Sequence, residues 1–245
     1  MANLAAFGFS DLMEIRGKLR TLFAGGEPAT FEEAATEVVR LFRSELRDVA
    51  GKPACALVRI YKTHLYSNLD AELQAFARAI EPRADTMPHL RCLTLIATAG
   101  DEPAWNSRHQ SRSHRAIPLS SEEAVAQAPM VAQLIAQLGV DVSNVLRPDP
   151  KLLMDIRDKA QNVFYVPRAL GSPYIVAQDD FVKPYRIESV IGFGGMLASG
   201  DLVTAILFSR VPISATAADH FKVVGLNFKL AMLPFVRKPL FARTS

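Results

Sequence analysis

Between Gly100 and Leu119 the sequence places Trp105, Arg108, His109, Arg112, His114 and Arg115 in one polar stretch, and these residue types define a chemistry. Guanidinium groups are planar forks of donors that fit a carboxylate or phosphate, and a nearby indole can stack on a planar ligand. A connection this long is either a functional loop or a solvated one whose like charges repel. His109 and His114 are five apart, which is not a helical ligand spacing, so no metal is expected. Gly192, Gly194 and Gly195 do not make a dinucleotide fingerprint, because Leu197 stands where the last glycine is needed. They read instead as strand glycines that permit close approach. Cys55 and Cys92 lie in apolar runs without a C-x-x-C pattern and read as buried, reduced thiols. There is no G-x-S-x-G, H-E-x-x-H or P-loop, so no catalytic residue is assigned and no enzyme is expected.

The elements that must position these residues follow from periodicity. Leu12, Ile15, Leu19, Leu22 and Phe23 form the apolar stripe of a helix ended by Gly25 and Gly26. Thr30 and Glu33 form a capping box for a second helix to about Asp48. Strands are expected over 54–61, with Lys62, Thr63 and His64 leaving the first, and over 90–97, 163–166, 187–196 and 202–209. The last two are joined by a hairpin turn at 198–201. Further helices are expected over 70–80, from a Ser120 and Glu123 capping box to Leu138 with Pro129 kinking or splitting it, over 150–160, and over 216–233. That order implies an α+β fold, an antiparallel sheet with helices from both chain ends on one face.

Composition narrows the function classes. Twenty-eight Lys and Arg against 25 Asp and Glu leave a net charge of +3, which gives a nucleic-acid role no support. No apolar run approaches the roughly 18 residues that cross a bilayer, and the first residues lack the basic region of a secretory signal. A soluble cytoplasmic protein is expected.

The segment from Arg186 to Met196, then Gly200 to Ser209 and the closing helix, resembles the end of GAF domains, where a strand, a short turn, a second strand and a terminal helix follow one another. The Thr30 helix and the strands at 57–61 and 93–97 are similar in order. The stretch 163–180, with Tyr165, Gly171, Ser172, Pro173, Tyr174 and Gln178, resembles the sensor regions of some bacterial histidine kinases. The resemblance covers about residues 30–235 and implies a six-stranded antiparallel sheet with helices on one face, a ligand pocket on the other and a regulatory role. The expected organisation is an N-terminal helical extension (1–29), a GAF-like sensor domain (30–235) and a C-terminal tail (236–245). At 245 residues there is no room for a catalytic output, so the signal is expected to pass to a separate effector such as a kinase. The flanking helix resembles those through which GAF domains pair, which implies a homodimer. Haem-binding members of the family use a pocket histidine, a role that would fall to His64 or His109. Free-methionine sulfoxide reductases of the family use cysteine pairs, but the apolar flanks of Cys55 and Cys92 argue against an exposed low-pKa thiol.

The expected pocket lies on the sheet face away from the terminal helices, roofed by residues 100–180. Its candidate contacts are Tyr61, Trp105, Arg108, Arg112, Tyr165, Tyr174, Gln178 and Phe193, because small-molecule sites combine aromatic walls with a few convergent polar groups. The basic stretch makes an anionic small molecule the expected ligand. Three alternatives are an adaptor whose pocket is filled by its own side chains, a thiol reductase and a haem sensor.

Overall fold

The computed structural model describes residues 1–148 and 162–242. In chain order its elements begin with strand β1 (Ala2–Asn3), helices α1 (Phe9–Thr21) and α2 (Phe31–Glu45), and strands β2 (Leu46–Arg47) and β3 (Cys55–Leu65). Helix α3 (Ala71–Ile80), strands β4 (Arg91–Gly100) and β5 (Ala116–Leu119), and helices α4 (Glu122–Ala126), α5 (Pro129–Gln137) and α6 (Val142–Leu146) come next. Strands β6 (Val163–Val166), β7 (Ser189–Met196) and β8 (Leu202–Ser209) and helix α7 (Ala215–Met232) complete the described chain. One six-stranded sheet runs in the order β5-β4-β3-β8-β7-β6 with every neighbouring pair antiparallel, and β1 pairs with β2 as a small parallel ribbon.

The differences from the periodicity have physical causes. Strand β3 continues through Lys62, Thr63 and His64 because β4 pairs with all three, and β8 pairs from the other side as far as Lys62. Pro118 hides β5 from a propensity reading, yet proline is tolerated on an edge strand, and β5 pairs only with the first residues of β4. Helix α2 stops at Glu45 because Leu46 and Arg47 turn to pair with β1. Ser121, not Ser120, caps α4, its hydroxyl accepting from the Ala124 N–H at 3.1 Å, and Pro129 opens a separate α5. The helix expected over 150–160 lies outside the described residues.

Each face of the sheet has its own core. On one, α1, α2 and α7 bury Leu12, Ile15, Phe42, Phe221 and Phe228 against Ile60, Ile191 and Phe193. The Thr30 capping box closes α2 with Oγ1 accepting from the Glu33 N–H at 3.1 Å, and the tail supplies the next partners, Phe31 and Glu32 donating to the carbonyls of Pro239 and Leu240 at 3.0 Å each. Gly225 lets α7 reach the sheet, since a side chain there would meet Phe193 Cβ at 3.1 Å and the Gly194 N at 3.3 Å. On the other face α4, α5, α6 and the segment 163–187 pack Val125, Leu134, Phe164, Ile175 and Val182 over Leu57, Tyr61, Leu95 and Ile206. That face is the roofed one.

Candidate functional site

The connection from β4 to β5 wraps the sheet edge that β5 leaves open. Thr98 Oγ1 donates to the Trp105 carbonyl at 2.9 Å, and the Asn106 side chain exchanges hydrogen bonds with the Gly100 backbone at 3.1 Å each. An uncovered edge strand would template pairing with another chain, so much of this polar stretch protects the sheet. Trp105 lies on Gly100, where an added Cβ would fall 2.7 Å from the indole, and its ring contacts Tyr185 and Phe181 with centroids at 4.5 and 5.6 Å. The indole pins the roof to the sheet.

The loop arginines are divided among carboxylates. Arg108 crosses the edge to Glu32 at 2.6 Å and stacks over the Phe241 ring at 3.7 Å. Arg115 pairs with Glu72 at 2.7 Å, and the hydrogen bonds of Arg115 and His109 hold the Glu72 carboxyl down at about 2. Arg112 is exposed. Sequence reasoning missed Arg59, which projects from the centre of β3 onto the roofed face, beside Tyr61 and beneath the loop. It is 9% exposed and donates to Tyr61 Oη at 3.2 Å and Ser111 Oγ at 3.1 Å. The signal was present as a charge inside the apolar run Leu57-Val58-Arg59-Ile60-Tyr61.

A second buried polar group ties the ends of β3, β4 and β8 together. Asp201 accepts from Lys62 at 2.6 Å, from Ser199 at 2.9 Å and from Arg91, while Thr63 Oγ1 accepts from Arg91 at 3.2 Å and from the Leu202 N–H at 2.9 Å. Burial lowers the Lys62 pKa and Asp201 opposes the fall. Burial would raise Asp201, but the Lys62 charge and hydrogen bond outweigh it and hold the carboxyl down. His64 Nε2 lies 3.0 Å from the Lys62 ammonium, and burial followed by that charge pushes its pKa well below the ordinary value. Beside Arg91 a crevice of about 260 Å³ is lined by Leu65, His89, Arg91, Leu146, Arg147 and Pro148.

The eight residues chosen from the sequence do not converge. Tyr61, Trp105 and Tyr174 belong to the roofed side, but Phe193 sits in the core beneath α2 and α7, and Tyr165 reaches the Ile213 carbonyl on that same side. Gln178 is occupied by the backbone, donating to Ala169 and Ile175 at 3.1 and 2.6 Å and accepting from the Gly171 N–H at 2.9 Å. Arg108 is turned away to Glu32. Alternation along a strand explains Phe193, because neighbouring residues point to opposite faces, and its own neighbours Gly192 and Gly194 present no side chain to the roof.

The haem ligands suggested by the resemblance are otherwise engaged. His64 faces Lys62, and the exposed His109 faces Glu72 at 3.2 Å. Among the described residues no three His, Cys, Asp or Glu side chains gather as a metal site. The cysteines do not pair: Cys92 stands opposite His64 in the register, which puts it about 30 Å along β3 from Cys55 at a rise of roughly 3.3 Å per residue.

No family model matches the chain, and no curated protein matches it. Among solved structures it is similar to a free methionine-R-sulfoxide reductase from Neisseria meningitidis in complex with its substrate, at 9% identity and a TM-score of 0.46 over 94% of this chain and 95% of that one. It is also similar to the phycoerythrobilin-bound GAF domain of a cyanobacterial phytochrome, at 12% identity and a TM-score of 0.40 over 91% of this chain and 93% of that one. A phycocyanobilin-bound phytochrome GAF domain gives 10% identity and a TM-score of 0.38 over 92% and 93%. The six antiparallel strands, with terminal helices on one face and a roof on the other, are an α+β architecture. No helix among the described residues is long and apolar enough to cross a membrane.

Proposed function

We propose that the chain is a small-molecule-binding regulatory module that passes its signal to a separate effector and catalyses nothing itself. The observation that carries this reading is the asymmetry of the two sheet faces. On the helical face the buried charge of Lys62, over the Phe31 ring, is answered by Asp201, whereas the roofed face buries Arg59 among Tyr61, Thr98 and Ser111 with no carboxylate on it among the described residues. Polar groups beneath a roof of short elements are what a ligand site needs and what a purely structural core avoids. Native mass spectrometry and an absorption spectrum of freshly purified protein test the reading, and also report the homodimer proposed from the flanking helix. A retained small molecule, or thermal stabilisation by members of a metabolite panel, is the expected result. Absence of both would move the function to the adaptor reading. That second reading has its own support, since the roof packs closely: a Cβ on Gly192 would meet Leu134 Cδ1 at 3.1 Å and Phe164 Cδ1 at 3.2 Å.

A further inference from the structure

The buried arginines Arg59, Arg91, Arg108 and Arg115 each hold at least one guanidinium nitrogen without a hydrogen-bond partner. Three of them have a carboxylate: Asp201 for Arg91, Glu32 for Arg108 and Glu72 for Arg115. Arg59 is different. Its partners among the described residues are two hydroxyls, Tyr61 Oη and Ser111 Oγ, and its Nε has none. A guanidinium stays protonated at any ordinary pH, so a full positive charge lies on the central strand with only neutral oxygens to answer it. Buried charges are normally paired, and a charge-assisted hydrogen bond is about twice as strong as a neutral one.

We propose that Arg59 is an anion seat, receiving the carboxylate or phosphate group of a small ligand that takes the place of the Ser111 hydroxyl beneath the loop. The seat lies on the face read above as the binding face and rests on that reading. The loop suits such an exchange. Arg108 fastens one side to Glu32, and Arg115 fastens the other to Glu72 and through its carbonyl to the Leu95 N–H at 2.8 Å. Between those staples Ser111 is the contact with Arg59, and its own hydroxyl donates to the Ser113 carbonyl at 3.0 Å, so it is held within the loop when it leaves the guanidinium. His114 carries a left-handed backbone at φ 59, a conformation that costs a non-glycine residue some strain. Partial desolvation, and then the Arg59 charge, hold the His114 pKa down, so near neutral pH the ring adds little positive charge beside Arg59.

The test is thermal unfolding of the full chain in sodium phosphate and in sodium acetate, each against sodium chloride at matched ionic strength. The wild-type protein is expected to rise saturably by roughly 3 °C or more in one of the two anions. Arg59→Met is expected to abolish that rise while its melting temperature in chloride is no lower than wild type, because an unanswered buried charge has been removed. Ser111→Ala, which vacates the hydroxyl's place, should respond to lower concentrations of the same anion, and it keeps the proposal open to refutation if the methionine variant does not fold. The proposal is overturned if neither anion exceeds chloride in the wild type, if Arg59→Met keeps the rise, or if Ser111→Ala shows no greater response. A retained ligand that binds Arg59→Met unchanged would leave the regulatory-module reading standing and remove only this seat.

Discussion

Burial pushes the thiols of Cys55 and Cys92 up to about 12 each, although Arg43 and Arg210 pull Cys55 weakly the other way. The thiolate is the nucleophile, so both are inert near neutral pH. With Ellman's reagent at pH 8 the folded protein is expected to release almost no colour within minutes and two equivalents once denatured. One fast-reacting thiol in the native chain would reopen the reductase alternative. At Gly194 the constraint is steric, because φ is +146 and an added Cβ would fall 2.1 Å from the Val203 carbonyl oxygen. Gly194→Ala is therefore expected to lose more than about 2 kcal/mol in urea unfolding. Gly17 has nothing within 4 Å, so Gly17→Ala in α1 should gain about 0.5–1 kcal/mol from helix propensity alone. Equal effects at the two sites would show that backbone geometry is not what separates them. The residue identities were legible, but their partners were not: nothing local in the sequence joins Arg108 to Glu32 or Lys62 to Asp201, because the sheet brings together positions far apart in the chain.

Elements read well where one physical signal dominated. The capping box at Thr30 and Glu33, the proline break at Pro129 and the Gly200 turn at φ +80 all stand where the local chemistry puts them. What local chemistry could not show was pairing. Strand β5 is held by β4 against the preference of Pro118, and Lys62, Thr63 and His64 of β3 are held by β4, with β8 on the other side of Lys62, although they are not strand formers by apolar pattern. The end of that strand supplies an element-scale prediction. Lys62 is 2% exposed and shares Asp201 with Arg91, so one carboxylate answers two cations where β3, β4 and the β7–β8 turn meet. Asp201→Asn preserves shape but leaves both cations unanswered, and should cost about 3 kcal/mol or more. Hydrogen exchange should locate the loss, with amides of the β7–β8 hairpin and the end of β3 losing protection before those of α2. A uniform loss across the sheet, or none, would mean that the group does not fasten the hairpin.

At the scale of the whole molecule, net charge and composition suggested a soluble domain but not which charges the fold would bury, and those charges set its response to acid. His64 is held neutral by burial first and then by Lys62 and Arg91, against the pull of Asp201. Its pKa is therefore lower folded than unfolded. Below pH 6.5 the unfolded chain takes up a proton that the native chain refuses, so stability falls as pH falls. Glu72 acts in the same sense over a lower range: its folded value of about 2 lies below the ordinary 4.5, and the stability it adds above 4.5 is lost as pH drops toward 2. Glu72 is half exposed, so solvent screening keeps its share small. The urea midpoint is thus expected to begin falling below about pH 6.5, before ordinary carboxylates titrate. In His64→Gln the amide oxygen can still accept from Lys62 but nothing titrates, so the decline between 6.5 and 4.5 should flatten while the steeper loss below 4.5 remains. An unchanged slope in that variant would place the acid sensitivity elsewhere. A flattened one would show that the buried charges at the end of β3 tie the stability of the whole sheet to pH.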